Sequence, residues 1–128
     1  MDSREQITRL ENEVRELKTT LEELEFRQDL IFHDSPVNRI IYEYKVTKQQ
    51  YDKVMDLMDQ YREKIENNEK VSHGVFEQKI YDLIPQQSGN YHFVEFLAAA
   101  FKEENRWEEV FLTLYSDMPK FKNLKERG

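Results

Sequence analysis

His92 and Glu95 stand three residues apart, the spacing of half a helical carboxylate–imidazole metal site. A di-metal bundle needs that pair twice and two further acids facing it. His33 and His73 bring no matching pair, and on a helical projection His92 and Glu95 fall on the polar side, so both read as solvated. No serine or threonine has a base at a motif spacing. Gly74, Gly89 and Gly128 are isolated, which excludes a Gly-rich phosphate loop. The chain has no cysteine, so neither thiolate chemistry nor a disulfide framework enters. Tyr51, Tyr61 and Tyr115 could line a ligand pocket, but their spacing fits core residues with a wet hydroxyl. Met55 and Met58 likewise read as core before they read as an adaptable surface. No catalytic residue, no metal ligand and no cofactor is expected.

The strongest pattern is one of association. Ile7, Leu10, Val14, Leu17, Leu21, Leu24 and, past Gln28, Ile31 recur at alternating spacings of three and four. This 3.5-residue period keeps one apolar seam on one side of a supercoiled helix. Ile7, Val14, Leu21 and Gln28 take the a positions, and Leu10, Leu17, Leu24 and Ile31 the d positions. The e and g positions from Gln6 to Arg27 carry no apolar residue, and such a narrow stripe is the coiled-coil form. The alternative is a helix folded back on its own domain. From Ile7 to Ile31 the helix would run about 37 Å, marginal alone, so other parts of the chain should help to hold the oligomer. β-branched Ile7 and Val14 at a with Leu at d favour a parallel homodimer, in which Glu13 faces Lys18 of the partner. Leu21 at a and Ile31 at d make a trimer the alternative.

The 128 residues suit one compact domain with an extension. Three glycines and three prolines starve turns and argue for helices throughout. The first residues lack a basic and then apolar signal pattern, and no apolar run is long enough to span a bilayer. A cytoplasmic protein without a membrane partner is expected. The net charge is −7, and residues 1–34 hold ten acids against five bases, whereas the remainder is nearly balanced. Nucleic acid needs clustered Lys and Arg. The only basic stretch is Lys120, Lys122, Lys125 and Arg127, read as a solvated tail, so no nucleic-acid partner is expected.

The rest of the chain reads as capped helices. Ser35 caps a helix with Pro36 at its first position and an apolar face of Val37, Ile40, Ile41 and Tyr44. Thr47 with Gln50 makes a capping box, and Tyr51, Val54, Met55, Met58, Tyr61 and Ile65 follow until Asn67 and Asn68. Ser72 opens a fourth helix with Phe76, Ile80, Leu83 and Ile84, ending at Pro85, and residues 86–90 form a loop. In the next helix Val94, Leu97, Ala98 and Phe101 share a face, and Phe93, Phe96 and Ala100 lie beside it. The apolar arc covers roughly 200°, twice the usual stripe. Phe93 and Phe96 are the expected partner surface, with Val94, Leu97 and Phe101 in the core. Asn105 with Glu108 is expected to cap the last helix, which carries Trp107, Val110, Phe111 and Leu114 and stops at Met118-Pro119.

The order of these segments resembles a known family. A short coiled coil precedes the run from Ser35 to Lys48 and a long amphipathic helix, and Trp107-Glu108-Glu109-Val110-Phe111-Leu112-Thr113-Leu114-Tyr115 comes later. The chain is similar to the YhaI-like family of small uncharacterised proteins from Bacillus and related Gram-positive bacteria. Lys45-Val46 departs from the pattern, in which a Gly-containing corner would stand between two helices. The resemblance implies an all-helical fold and a cytoplasmic bacterial setting, and it carries no activity.

The expected architecture is all-α, with a coiled-coil oligomerisation helix over 1–34, a helical domain of about five short helices over 35–117 and a basic tail over 118–128. The expected function is non-enzymatic: an oligomeric interaction or regulatory protein that binds itself and another protein. The alternative is a small enzyme or ligand sensor with a Tyr/Phe-lined pocket between helices or subunits.

Overall fold

The computed structural model describes residues 2–115. The basic tail and the helix stop at Met118-Pro119 lie outside the described residues. Among the described residues six α-helices follow one another: α1 Ser3–Phe32, α2 Pro36–Glu43, α3 Lys48–Glu66, α4 His73–Leu83, α5 Tyr91–Glu103 and α6 Glu108–Tyr115. A single 3₁₀ turn, Pro85–Gln87, sits between α4 and α5. The fold is all-α, and no strand occurs among the described residues.

Most helix starts are set by their own side chains. Asp2 accepts from the Glu5 amide, Ser35 from Asn38, Ser72 from Val75 and Asn90 from Phe93. Thr47 and Gln50 form the full reciprocal box at the head of α3. Each cap satisfies an amide that would otherwise lack a partner inside the helix.

The helix ends use one device three times without a glycine. Lys45, Asn68 and Asn105 all take left-handed backbone, at φ 57°, 59° and 60°. In each case the next residue's amide donates five residues back: Val46 to Ile41, Glu69 to Lys64 and Arg106 to Phe101. These are Schellman closures, where glycine is the usual occupant. Lys45 therefore supplies the corner between α2 and α3 without a glycine, and Val46 and Ile41 are buried behind it. The same observation corrects the role expected of Asn105: it closes α5 and does not cap α6. Asparagine serves both roles because its short amide tolerates left-handed backbone as well as the cap position.

Helices α2 to α6 enclose one core. Tyr44 at the end of α2 meets Phe93 of α5 at 4.9 Å between ring centroids. Tyr61 of α3 meets Phe76 of α4 at 5.0 Å, and Phe101 of α5 meets Trp107 at 5.0 Å, edge to face. The Trp107 indole N–H donates to Asp59 Oδ1 at 2.9 Å, tying the start of α6 to α3. The amides of Gln50 and Gln86 hydrogen-bond each other reciprocally at 2.8 and 3.0 Å. Gln86 and Gln87 also donate to the Lys45 and Tyr44 carbonyls at 3.4 Å, so the loop before α5 is clamped to the α2–α3 corner.

Candidate oligomerisation surface

Helix α1 joins this body by its last third only. Leu30 is buried, and Phe26 is half-buried with its ring 5.5 Å from Tyr51. Glu23 accepts from the Lys48 amide at 3.1 Å. Arg27 lays its guanidinium 4.3 Å from the Tyr42 ring centre and donates to the Tyr42 carbonyl at 3.2 Å. All residues from 2 to 22 are exposed, an arm about 30 Å long at the helical rise per residue. At the hinge, Asp34 accepts two hydrogen bonds from Arg39, at 2.7 and 2.6 Å. That guanidinium holds the Asp34 carboxyl below its ordinary range.

The side of α1 that meets the body decides what remains open. Glu23, Phe26 and Leu30 occupy c, f and c of the heptad, opposite the a/d seam, and Arg27 flanks them at g. The body therefore consumes none of the seam. Ile7, Leu10, Val14, Leu17, Leu21, Leu24 and Ile31 are all exposed, from 49 % at Val14 to 63 % at Leu17. The fold-back alternative holds for the last third of the helix, which docks on the body by the face opposite the seam, whereas residues 2–22 stay exposed. Phe26 and Leu30 were the missed signal, two large apolar residues at i and i+4 outside the seam.

Seven aliphatic side chains in one exposed column are more than scattered surface apolar residues. The column continues into a groove of about 410 Å³ at the base of the arm, lined by Leu24, Arg27, Gln28, Ile31, Phe32 and Tyr42. Phe32 is the most exposed large hydrophobic side chain described, at 79 %. The polar flanks are lightly tied along the helix, as in Arg9–Glu13 at 3.3 Å.

The second expected surface divides. Phe93 is fully buried, with its ring against Tyr44, and is core, a correction to its expected place on a partner surface. Phe93 lies on the side of α5 that packs against the end of α2. Phe96 is 51 % exposed beside His92, whose ring lies 6.0 Å away. Val94, Leu97 and Phe101 are buried as expected.

The His92–Glu95 pair also separates. His92 is exposed, whereas Glu95 is buried, contrary to its expected polar-side position. Burial first, and then the carboxylates of Glu77 and Glu95, raise the phenols of Tyr81 and Tyr115. The Tyr115 hydroxyl donates to Glu77 Oε1 at 3.2 Å, and its phenol is pushed far above the ordinary tyrosine value. The Tyr115–Glu77 hydrogen bond ties α6 to α4. Among the described residues, no group of three or more histidines and acids is placed to hold a metal ion. No helix among them is long and apolar enough to cross a membrane.

The chain matches no protein-family model, no curated protein and no solved structure.

Proposed function

We propose that this chain is a non-enzymatic oligomeric interaction protein, multimerised through the seam of α1, with the α2–α6 body carried at one end. The observation that carries the reading is the face by which α1 docks. The body uses c, f and g positions and leaves all seven apolar seam residues exposed. Burying the wet half of each is worth roughly 1 kcal/mol, on the order of 14 kcal/mol for a pair of chains. Association costs about 4–15 kcal/mol, so a self-complementary seam of this size supports a reversible oligomer. The cytoplasm of a Gram-positive bacterium, the setting implied by the YhaI-like resemblance, is the compartment we assign. A protein client of the assembled body completes the proposal.

The sensor alternative draws less support. Phe93 and Phe101, which would wall a pocket beside α5, are fully buried against neighbouring helices.

Leu17→Glu tests the reading. A carboxylate at the centre of the seam would be buried unpaired, at a cost of several kcal/mol. Residue 17 lies beyond the part of α1 that touches the body, so the α2–α6 core should keep its fold. Light scattering should give an oligomer for the natural sequence and a single folded chain for the variant. Unchanged mass in the variant would refute the seam.

A further inference from the structure

The groove at the base of the arm indicates how two copies meet. We propose that the partner on the α1 seam is a second copy lying parallel and in register, with Phe32 of each chain seated beside Arg27 and Tyr42 of the other. The proposal rests on the oligomeric reading above and goes beyond it in orientation, register and contact residue.

Three observations converge. The first is shape. Leu24, Gln28 and Ile31 in the groove are successive d, a and d positions, and Arg27 is the intervening g. In a parallel coiled coil these four positions make the hole that receives an a-position knob. The knob at that level is the partner's Gln28, so the groove fits the same segment of a second chain. Residue e of one helix packs beside residue g of the other, five positions earlier, in such a pair. Phe32 is at e and Arg27 at g, so the partner's Phe32 arrives where Arg27 already stacks at 4.3 Å on Tyr42. An exposed phenylalanine thereby gains an aromatic and a cationic neighbour, a favourable arrangement.

The second observation is charge. In the parallel pair Glu13 meets Lys18 twice, and no like charges meet: Gln6 faces Glu11 and Thr20 faces Glu25. An antiparallel pair with the same overlap would place Lys18 against Lys18 and Glu11 against Glu25 twice. Its two Glu13–Arg27 contacts would not offset those three repulsive ones. Sliding the antiparallel pair until Ile7 opposes Leu24 lets Glu11 meet Lys18. That register leaves Gln28, Ile31 and Phe32 uncovered.

The third is polarity within the seam. Gln28 is its only polar member between Ile7 and Ile31. In the parallel register the two Gln28 amides face each other and can hydrogen-bond. In the fully overlapped antiparallel register each faces Leu10, leaving a buried amide without a partner. Glu23, Phe26 and Leu30 attach most of each body opposite its own seam, with Tyr42 alone at the seam's edge, and a two-fold axis carries the two bodies to opposite sides.

The chain has no cysteine, so Gln28→Cys introduces a single thiol. Light scattering should give twice the chain mass, and in a glutathione redox buffer the variant should run as a disulfide-linked pair. Phe32→Ala should weaken the dimer at least tenfold by sedimentation equilibrium while the fluorescence of Trp107 stays that of the folded body. A dimer by mass in which the introduced thiol does not cross-link overturns the parallel register and leaves the oligomeric reading standing. A single-chain mass at high micromolar concentration overturns that reading itself, and a three-chain mass overturns the pair. Cross-linking with undiminished affinity of Phe32→Ala overturns the seat assigned to Phe32.

Discussion

Phe93 and Phe96 sit three residues apart on one helix, and replacing each should have sharply different consequences. Phe93 has no exposed surface and its ring lies 4.9 Å from that of Tyr44. Truncation to alanine removes the whole ring from between Tyr44 at the end of α2 and α5. Such Phe→Ala changes cost about 3–5 kcal/mol, and domains of this size have a total stability of roughly 6–17 kcal/mol. At about 4 °C per kcal/mol, the melting temperature of Phe93→Ala should fall by about 12–20 °C. Phe96 keeps 51 % of its surface wet, so Phe96→Ser should stay within about 0.5 kcal/mol, or roughly 2 °C. Thermal melts by circular dichroism must be run at one chain concentration, because association adds to apparent stability. Equal losses in the two variants would refute the assignment of Phe93 to the core and Phe96 to the surface.

Two further outcomes follow from particular contacts. Lys45→Gly should stabilise the chain by about 0.5–1 kcal/mol in urea denaturation, since it removes left-handed strain of roughly 1–2 kcal/mol against a smaller entropy cost; a loss of stability would show that the Lys45 side chain contributes more than its backbone costs. The raised Tyr115 phenol binds its proton more tightly in the folded chain than in the unfolded one. Its contribution is therefore full below the ordinary tyrosine value of 10.0 and is lost as pH rises past it. Tyr115→Phe should flatten the alkaline fall in stability without abolishing it, because Tyr61 and Tyr81 are raised too; an unchanged alkaline slope would contradict the burial assigned to Tyr115.

The helical order was legible because its signals are local. Ser35, Thr47 with Gln50, and Ser72 each cap the helix that the periodicity places after them, since a cap depends on residues within one turn. What sequence could not place depends on tertiary context. The heptad frame put Phe26 and Leu30 outside the seam without showing what they met, and the body's approach on that face is a long-range fact. Glu95 looked solvated because a projection assigns charge outward, yet the buried arc of α5 reaches it and leaves the side of His92, Phe96 and Glu103 open. The apolar arc of α5 was wide enough that Phe93 and Phe96 looked alike. What separated them was the side on which α2 packs, which covers Phe93 through Tyr44 and leaves Phe96 open. Asn105 failed for a chemical reason, since one side chain suits both ends of a helix.

The central claim is that the seam of α1 is an interface between copies of this chain, and the mass of the unmodified protein in solution tests it most directly. One chain weighs 15.6 kDa. Sedimentation equilibrium over low to high micromolar concentration should resolve a reversible species of twice that mass. A species that remains at 15.6 kDa throughout that range would contradict the account.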